Sequence, residues 1–140
     1  MQLSGAVLSC ISCLKSGFVL MIRKALTKDA KEILAIINFF ANSGKMLPRS
    51  INEIYENIRD FIVYEIDGEI VGVSSLHIDW DDLAEIRSLA VKEKNSGKGI
   101  GSEMTRECMR EAKEMGIKRV FTLTYVPEFF KRLGFKIVDN

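Results

Sequence analysis

Apolar and polar residues alternate most regularly over 83–91, where Leu83, Glu85, Arg87, Leu89 and Val91 interleave with Ala84, Ile86, Ser88 and Ala90. A period of two with branched apolar side chains predicts a strand. Shorter runs of the same kind predict strands at 22–25, 61–66, 69–78, 118–124 and 135–138. Helical spacing appears elsewhere. Ala30, Ile33, Leu34, Ile37, Phe40 and Ala41 follow Thr27, a candidate N-cap, and Ile51, Ile54, Tyr55 and Ile58 follow the capping box of Ser50 and Glu53. Ile100, Met104, Cys108, Ala112 and Met115 share one side of a third helix that Gly116 ends. Pro127 opens a short fourth helix and Gly134 stops it, while Asp67-Gly68 predicts a hairpin turn. The order is strand, two helices, three strands, helix, strand, helix, strand. It predicts an α/β protein whose mixed (α+β type) central sheet carries helices on both faces.

Between the 83–91 strand and its helix lies Gly97-Lys98-Gly99-Ile100-Gly101-Ser102. Glycines at alternate positions let backbone N–H groups turn towards one point, and a helix N-terminus behind them favours an anion. Lys98 adds a full positive charge, so a phosphate or pyrophosphate is the implied ligand. The spacing lacks the phosphate-loop pattern of nucleotide hydrolases. It also differs from a dinucleotide fingerprint, because residues 92–96 intervene after the strand and no acid ends the next one.

Composition narrows the function further. At 140 residues one domain is expected, and 20 Lys and Arg against 19 Asp and Glu give no field that favours nucleic acid or acidic lipid. Residues 1–20 are apolar with only Lys15 charged, and fit neither a secretory signal nor a membrane span. They read as an extension before a domain at 21–140. Three cysteines make no disulfide framework and favour a reducing, cytoplasmic setting. Cys10 and Cys13 lack a second ligand pair and His77 is the sole histidine, so no metal is expected.

The element order, the LAEIRSLAV strand, the GKGIG loop and FFKRLGF near the end resemble the GNAT acetyltransferase superfamily. Within it, Leu47-Pro48-Arg49-Ser50, the run from Ala84 to Val91, and the run from Leu123 to Phe130 are similar to the acetyltransferase domain of bacterial N-acetylglutamate synthases. The resemblance extends from Met21 to the end of the sequence and is to the short, stand-alone type.

The resemblance implies acetyl-CoA as co-substrate, with Gly97, Lys98, Gly99, Ile100, Gly101 and Ser102 on its pyrophosphate. It places the backbone of Leu89, Ala90 and Val91 along the pantetheine arm and thioester, where a fixed N–H can stabilise an oxyanion. Ser96 stands where relatives have Arg or Gln, a loss of about 1.5–3 kcal/mol that Lys92, Lys94 or Lys98 can offset. Glu85 occupies a position that often serves as general base, and equally suits a salt bridge with Arg87 on the same face. Phe130 stands at the family's usual Tyr acid and is assigned to the cofactor side. A thiol leaving group with a pKa of about 8.5 needs little protonation. Tyr125 is the nearest replacement acid, or else a buried tyrosine bonded to backbone. His77 reads as satisfying a local hydrogen bond, and Trp80 as covering the sheet or an interface.

Arg49 and Arg87 are assigned to a small amino-acid substrate with two carboxylates, for which a bidentate fork is suited. Either can also be an ordinary charge. The implied activity is acetylation of the α-amine of glutamate in arginine biosynthesis, with no nucleic-acid or membrane partner and a homodimer left open. The alternatives are a GNAT-like module that binds CoA or an amino acid and regulates a partner, and an acetyltransferase for another amine.

Overall fold

The computed structural model describes residues 20–138. Cys10, Cys13 and the extension to which they belong lie outside the described residues. Five strands form one sheet in the order β1 (Leu20–Lys24), β2 (Phe61–Ile66), β3 (Glu69–Trp80), β4 (Leu83–Val91) and β5 (Arg119–Thr122). The first four are antiparallel neighbours and β5 runs parallel to β4, so the sheet is mixed as expected. Helices α1 (Ala30–Asn42) and α2 (Ile51–Glu56) cover one face, where Ile33, Ile37 and Ile54 pack on Phe61, Val63, Val73 and Ala90. Helix α3 (Ile100–Glu114) covers the other, setting Ile100, Met104, Cys108 and Ala112 against Ile62, Tyr64, Leu76 and Ile86. A short α4 (Pro127–Lys131) follows β5.

Local signals hold where the chemistry is local. Glu53 N–H donates to Ser50 Oγ at 3.2 Å and Ser50 N–H to Glu53 Oε1 at 3.1 Å, which is the predicted capping box. Gly72 decides how closely α3 approaches. A Cβ there would lie 2.9 Å from Met104 Sδ and 3.3 Å from Ile100, so the bare backbone lets these α3 side chains settle on β3 without shifting.

Five expectations are corrected. Thr27 does not cap α1; it opens a 3-10 turn, Thr27–Asp29, and Asp29 Oδ2 accepts from Leu26 N–H at 2.7 Å. The stripe of α1 gains buried Ile36, while Phe40 packs half-buried on the same core and Ala41 lies half-buried near the helix end. Met115 is exposed, because α3 closes in a Schellman motif: Gly116 N–H bonds Lys113 O, and Ile117 N–H bonds Ala112 O at 2.9 Å, carrying Ile117 into the core instead. The fifth strand is Arg119–Thr122, shorter than 118–124. No strand forms at 135–138: these residues have no ladder partner among the described residues, and Ile137 and Val138 are 67% and 77% exposed.

Asp29 also anchors β1 to α1. Its two oxygens take Arg23 Nη1 at 2.8 Å and Nη2 at 3.1 Å, and Arg23 reaches Glu65 with its remaining donors. The Arg23 hydrogen bond holds the Asp29 carboxyl below its ordinary value. Its contribution is therefore fully present above the ordinary carboxylate range and lost as pH falls through the lowered value. Asp29→Asn is expected to cost about 2 kcal/mol at pH 7 by denaturant titration, with the gap to wild type shrinking below about pH 4.

Candidate functional site

The site begins where β5 leaves β4. Their ladder runs only from Leu83↔Arg119 to Ile86↔Thr122, and Thr122 Oγ1 donates to Ile86 O at 3.0 Å at its end. Beyond that point β4 bulges. Its register with β3 passes from Ser75↔Arg87 to Val73↔Ala90, so Ser88 and Leu89 together oppose Ser74, with Ser88 at φ 56. The bulge corrects the predicted alternation. Leu89 and Val91 join Ile86 on the α3 face, and Ala90 joins the core of the opposite face.

The bulge also frees a strand edge. Lys92 N–H donates to Val71 O at 2.8 Å, and Ala90 pairs with Val73. Since successive residues present their polar groups to opposite edges, Val91 turns its N–H and C=O away from β3, towards the edge that β5 has left. Leu89 sits in the bulge itself.

Next along the chain is the glycine loop. Gly97 has φ 76 and Gly99, the N-cap of α3, has φ 82 with no side-chain cap. The first helical hydrogen bond is Glu103 N–H to Gly99 O, which leaves the amides of Gly99, Ile100, Gly101 and Ser102 without helical acceptors. A Cβ on Gly97 or Gly99 would meet nothing within 4 Å, so the loop faces open space. The ring of Phe129 walls the other side, 3.3 Å from where a Gly101 Cβ would stand. These features make a cradle able to hold a phosphate-sized anion. Two of the three lysines expected to offset Ser96 are engaged elsewhere: Lys92 pairs with Glu32 and Glu69, and Lys94 pairs with Glu69 at 2.7 Å. Lys98 has no ion-pair partner among the described residues. The Ser96 hydroxyl closes its own turn by donating to Glu93 O. Asn95, not singled out by the sequence, is 8% exposed below this loop with Oδ1 unpartnered.

On the α2 face, β4 supplies Glu85 and Arg87. Arg87 Nε donates to Glu85 Oε1 at 2.9 Å, which realises the predicted salt bridge and leaves Glu85 Oε2 without a side-chain partner among the described residues. Arg87 lines a small, open cleft together with Arg49, Glu53, Asn57, Asp60, Ser75 and the bulged Ser88. The two arginines named from sequence, 38 positions apart in the chain, thus share one cavity. Arg49 is held by Glu53 Oε2 at 3.5 Å from its Nη1, and its N–H faces Asn38 Oδ1. Sequence reasoning missed Asp60 and Ser75. Their signal is three-dimensional, since Asp60 Oδ2 meets His77 Nδ1 at 2.8 Å and Ser75 Oγ donates to Arg87 O.

The aromatic residues fall differently. Tyr125 is 73% exposed and makes no hydrogen bond to a described residue, so it is not a buried tyrosine tied to backbone. It lies between β5 and α4, where no regular element covers it. Phe130 is buried, edge-to-face with Phe129 at 4.9 Å and Phe135 at 5.4 Å. Trp80 is exposed at the end of β3 and does not cover the sheet.

A strand that parts from its neighbour beside a glycine-capped helix matches a known sequence family. The model of the Acetyltransferase (GNAT) family matches residues 27–135. The chain belongs to the GNAT acetyltransferase family. It is an N-acetyltransferase by that membership. An uncharacterized N-acetyltransferase of Chlorobaculum tepidum is 40% identical over 119 residues, 85% of this chain and 77% of that protein. An amino-acid acetyltransferase of Mycobacterium tuberculosis is 35% identical over 124 residues, 86% of this chain and 70% of the relative. A solved M. tuberculosis structure in complex with CoA and NLQ superposes with a TM-score of 0.82 at 33% identity, over 86% of this chain and 74% of that one. The N-acetylglutamate synthase of Neisseria gonorrhoeae, complexed with coenzyme A and N-acetyl-glutamate, gives 0.83 at 29% identity, over 86% of this chain and 29% of the larger protein. No helix among the described residues is long and apolar enough to cross a membrane.

Proposed function

We propose that the protein transfers the acetyl group of acetyl-CoA to the α-amine of glutamate. The observation that carries this reading is the convergence of Arg49 and Arg87 on one cleft that reaches the bulge of β4 beside Glu85. Two guanidinium groups suit an acceptor with two carboxylates. The relatives named amino-acid acetyltransferase and the N-acetyl-glutamate complex support an amino-acid acceptor. The product is the acetylated intermediate of arginine biosynthesis, and a cytoplasmic location agrees with a pool of acetyl-CoA.

Each group has a task in this scheme. The amides of Gly97 to Ser102 and Lys98 hold the pyrophosphate. Leu89, Ala90 and Val91 offer backbone to the pantetheine arm, and the free N–H of Val91 can meet the thioester oxygen as it gains charge. Buried Phe130 backs the same wall with Phe129. Glu85 takes a proton from the substrate ammonium, and the neutral amine attacks the carbonyl carbon. The carbon–sulfur bond then breaks and the sulfur leaves as thiolate, for which exposed Tyr125 is the available hydroxyl.

Transfer proceeds directly in a ternary complex. Cys108, the described cysteine, is buried under the sheet with its thiol pushed up to about 11 by burial, and cannot serve as an acyl carrier. The absence of a hydroxyl at Phe130 favours a second reading, a weakly catalytic module that binds the same ligands. Calorimetric titration tests the pocket. N-acetylglutamate should bind wild type and lose affinity in both Arg49→Ala and Arg87→Ala; equal affinity in all three would remove the two-carboxylate pocket.

The cofactor cradle has its own prediction. At φ 82 a β-branched residue is strained, so Gly99→Val should lose about 1–2 kcal/mol of stability as well as acetyl-CoA affinity. Binding measured on the fraction that remains folded separates the two effects. Unchanged affinity there would move the pyrophosphate elsewhere.

A further inference from the structure

The chain holds one histidine, and the fold sets it beside the candidate base. His77 on β3 is directly opposite Glu85 on β4. Directly opposed residues stand with their Cβ atoms about 4.5–5.5 Å apart on one face of a sheet. Asp60, from the 3-10 turn that precedes β2, grips His77 Nδ1 at 2.8 Å and itself lines the substrate cleft. The charged groups around the ring are Asp60, Asp79 from its own strand, and across the ladder Glu85 with Arg87 bound to it.

We infer that His77 is the proton carrier for Glu85, with Asp60 as its positioning residue. This rests on the reading of Glu85 as general base. Proton balance requires such an exit. A substrate ammonium loses two protons in becoming an amide: one before attack, to Glu85, and one from the nitrogen as the amide forms. The departing CoA sulfur takes up one, so each turnover sends one proton to solvent. Glu85 is poorly placed to release it alone, since its side chain is 14% exposed and one oxygen is bound to Arg87.

The His77 side chain is 29% exposed. With Nδ1–H donated to the Asp60 carboxylate, Nε2 carries the lone pair, which is the arrangement of a carboxylate-oriented base. Nε2 lies 4.0 Å from Asp79 Oδ1, beyond hydrogen-bond distance, and is available to water. The proton passes from Glu85 through bridging water to Nε2, and from Nε2–H to solvent. Electron pairs stay on oxygen and nitrogen throughout, and no oxidant or further reactant enters.

The test uses His77→Asn, whose amide can still donate to Asp60 but has no titrating nitrogen. Thiol release is followed from pH 6 to pH 9 in imidazole-free buffer, with acetyl-CoA and the amine that wild type turns over fastest. We expect kcat at pH 7 to fall about tenfold, below the full range for a direct acid or base. Both Michaelis constants should hold, and added imidazole should restore the rate in proportion to its concentration. A wild-type pH profile, or a loss that imidazole does not repair, overturns the inference. Should His77→Asn fail to fold, Asp60→Asn serves instead, and its lower kcat must again respond to imidazole. Glu85→Gln run in parallel separates the two claims. Full activity there removes the base, whereas an inactive Glu85→Gln beside a normal His77→Asn removes the relay alone.

Discussion

Glu85→Gln is expected to lower kcat by about 10²–10⁴ while leaving the Michaelis constant for acetyl-CoA unchanged. The amide keeps the size and the oxygen that accepts from Arg87 Nε, so the cross-face contact survives in weakened form. What it lacks is a basic oxygen, and the second oxygen of Glu85 is the one without a side-chain partner among the described residues. A purely structural salt bridge predicts a different outcome: a lower melting temperature, a higher Michaelis constant for the amine through a loosened Arg87, and little change in kcat. Stopped-time thiol assays at saturating substrates, with melting curves alongside, distinguish the two.

Arg87→Lys should raise the Michaelis constant for the amino acid about 10–100-fold and that for acetyl-CoA by little. Arg87 uses Nε on Glu85, and its two terminal nitrogens make no hydrogen bond to a described residue while the residue lines the cleft. A lysine ammonium cannot hold Glu85 and grip a carboxylate through two parallel bonds at once. The charge is retained, so the loss reports geometry. An equal rise in both constants would mean that Arg87 supports the strand instead of the acceptor.

The parts of the fold that were legible in the sequence are those specified within a few residues. The Ser50–Glu53 capping box, the Asp67-Gly68 turn and the glycine loop ahead of α3 each depend on near neighbours, and each formed as expected. What depended on distant partners was hidden. Residues 135–138 have strand-like composition, yet a strand requires a ladder, and none of the described residues offers one. The LAEIRSLAV run reads as unbroken alternation because Ser88 in the left-handed region leaves no mark in composition. That one residue reverses the faces of Leu89, Ala90 and Val91.

The candidate site divides in the same way. Glu85, Arg87 and Arg49 could be named from their motifs, and the structure adds that the arginines meet in one cleft. The grip of Asp60 on His77 joins a turn to a strand 17 positions away and could not be read from spacing. Lys92 and Lys94 looked available from charge alone, but Glu69 and Glu32, contributed by other elements, hold them.

The acceptor is the central claim, and release of free thiol from acetyl-CoA tests it most directly. Purified protein is offered each free amino acid, then polyamines, then a lysine-containing peptide, one at a time. Thiol release that depends on L-glutamate, or on a close relative bearing two carboxylates, is the expected result. Turnover with polyamine or peptide alone would contradict the two-carboxylate cleft, and silence with every amine would favour the binding module.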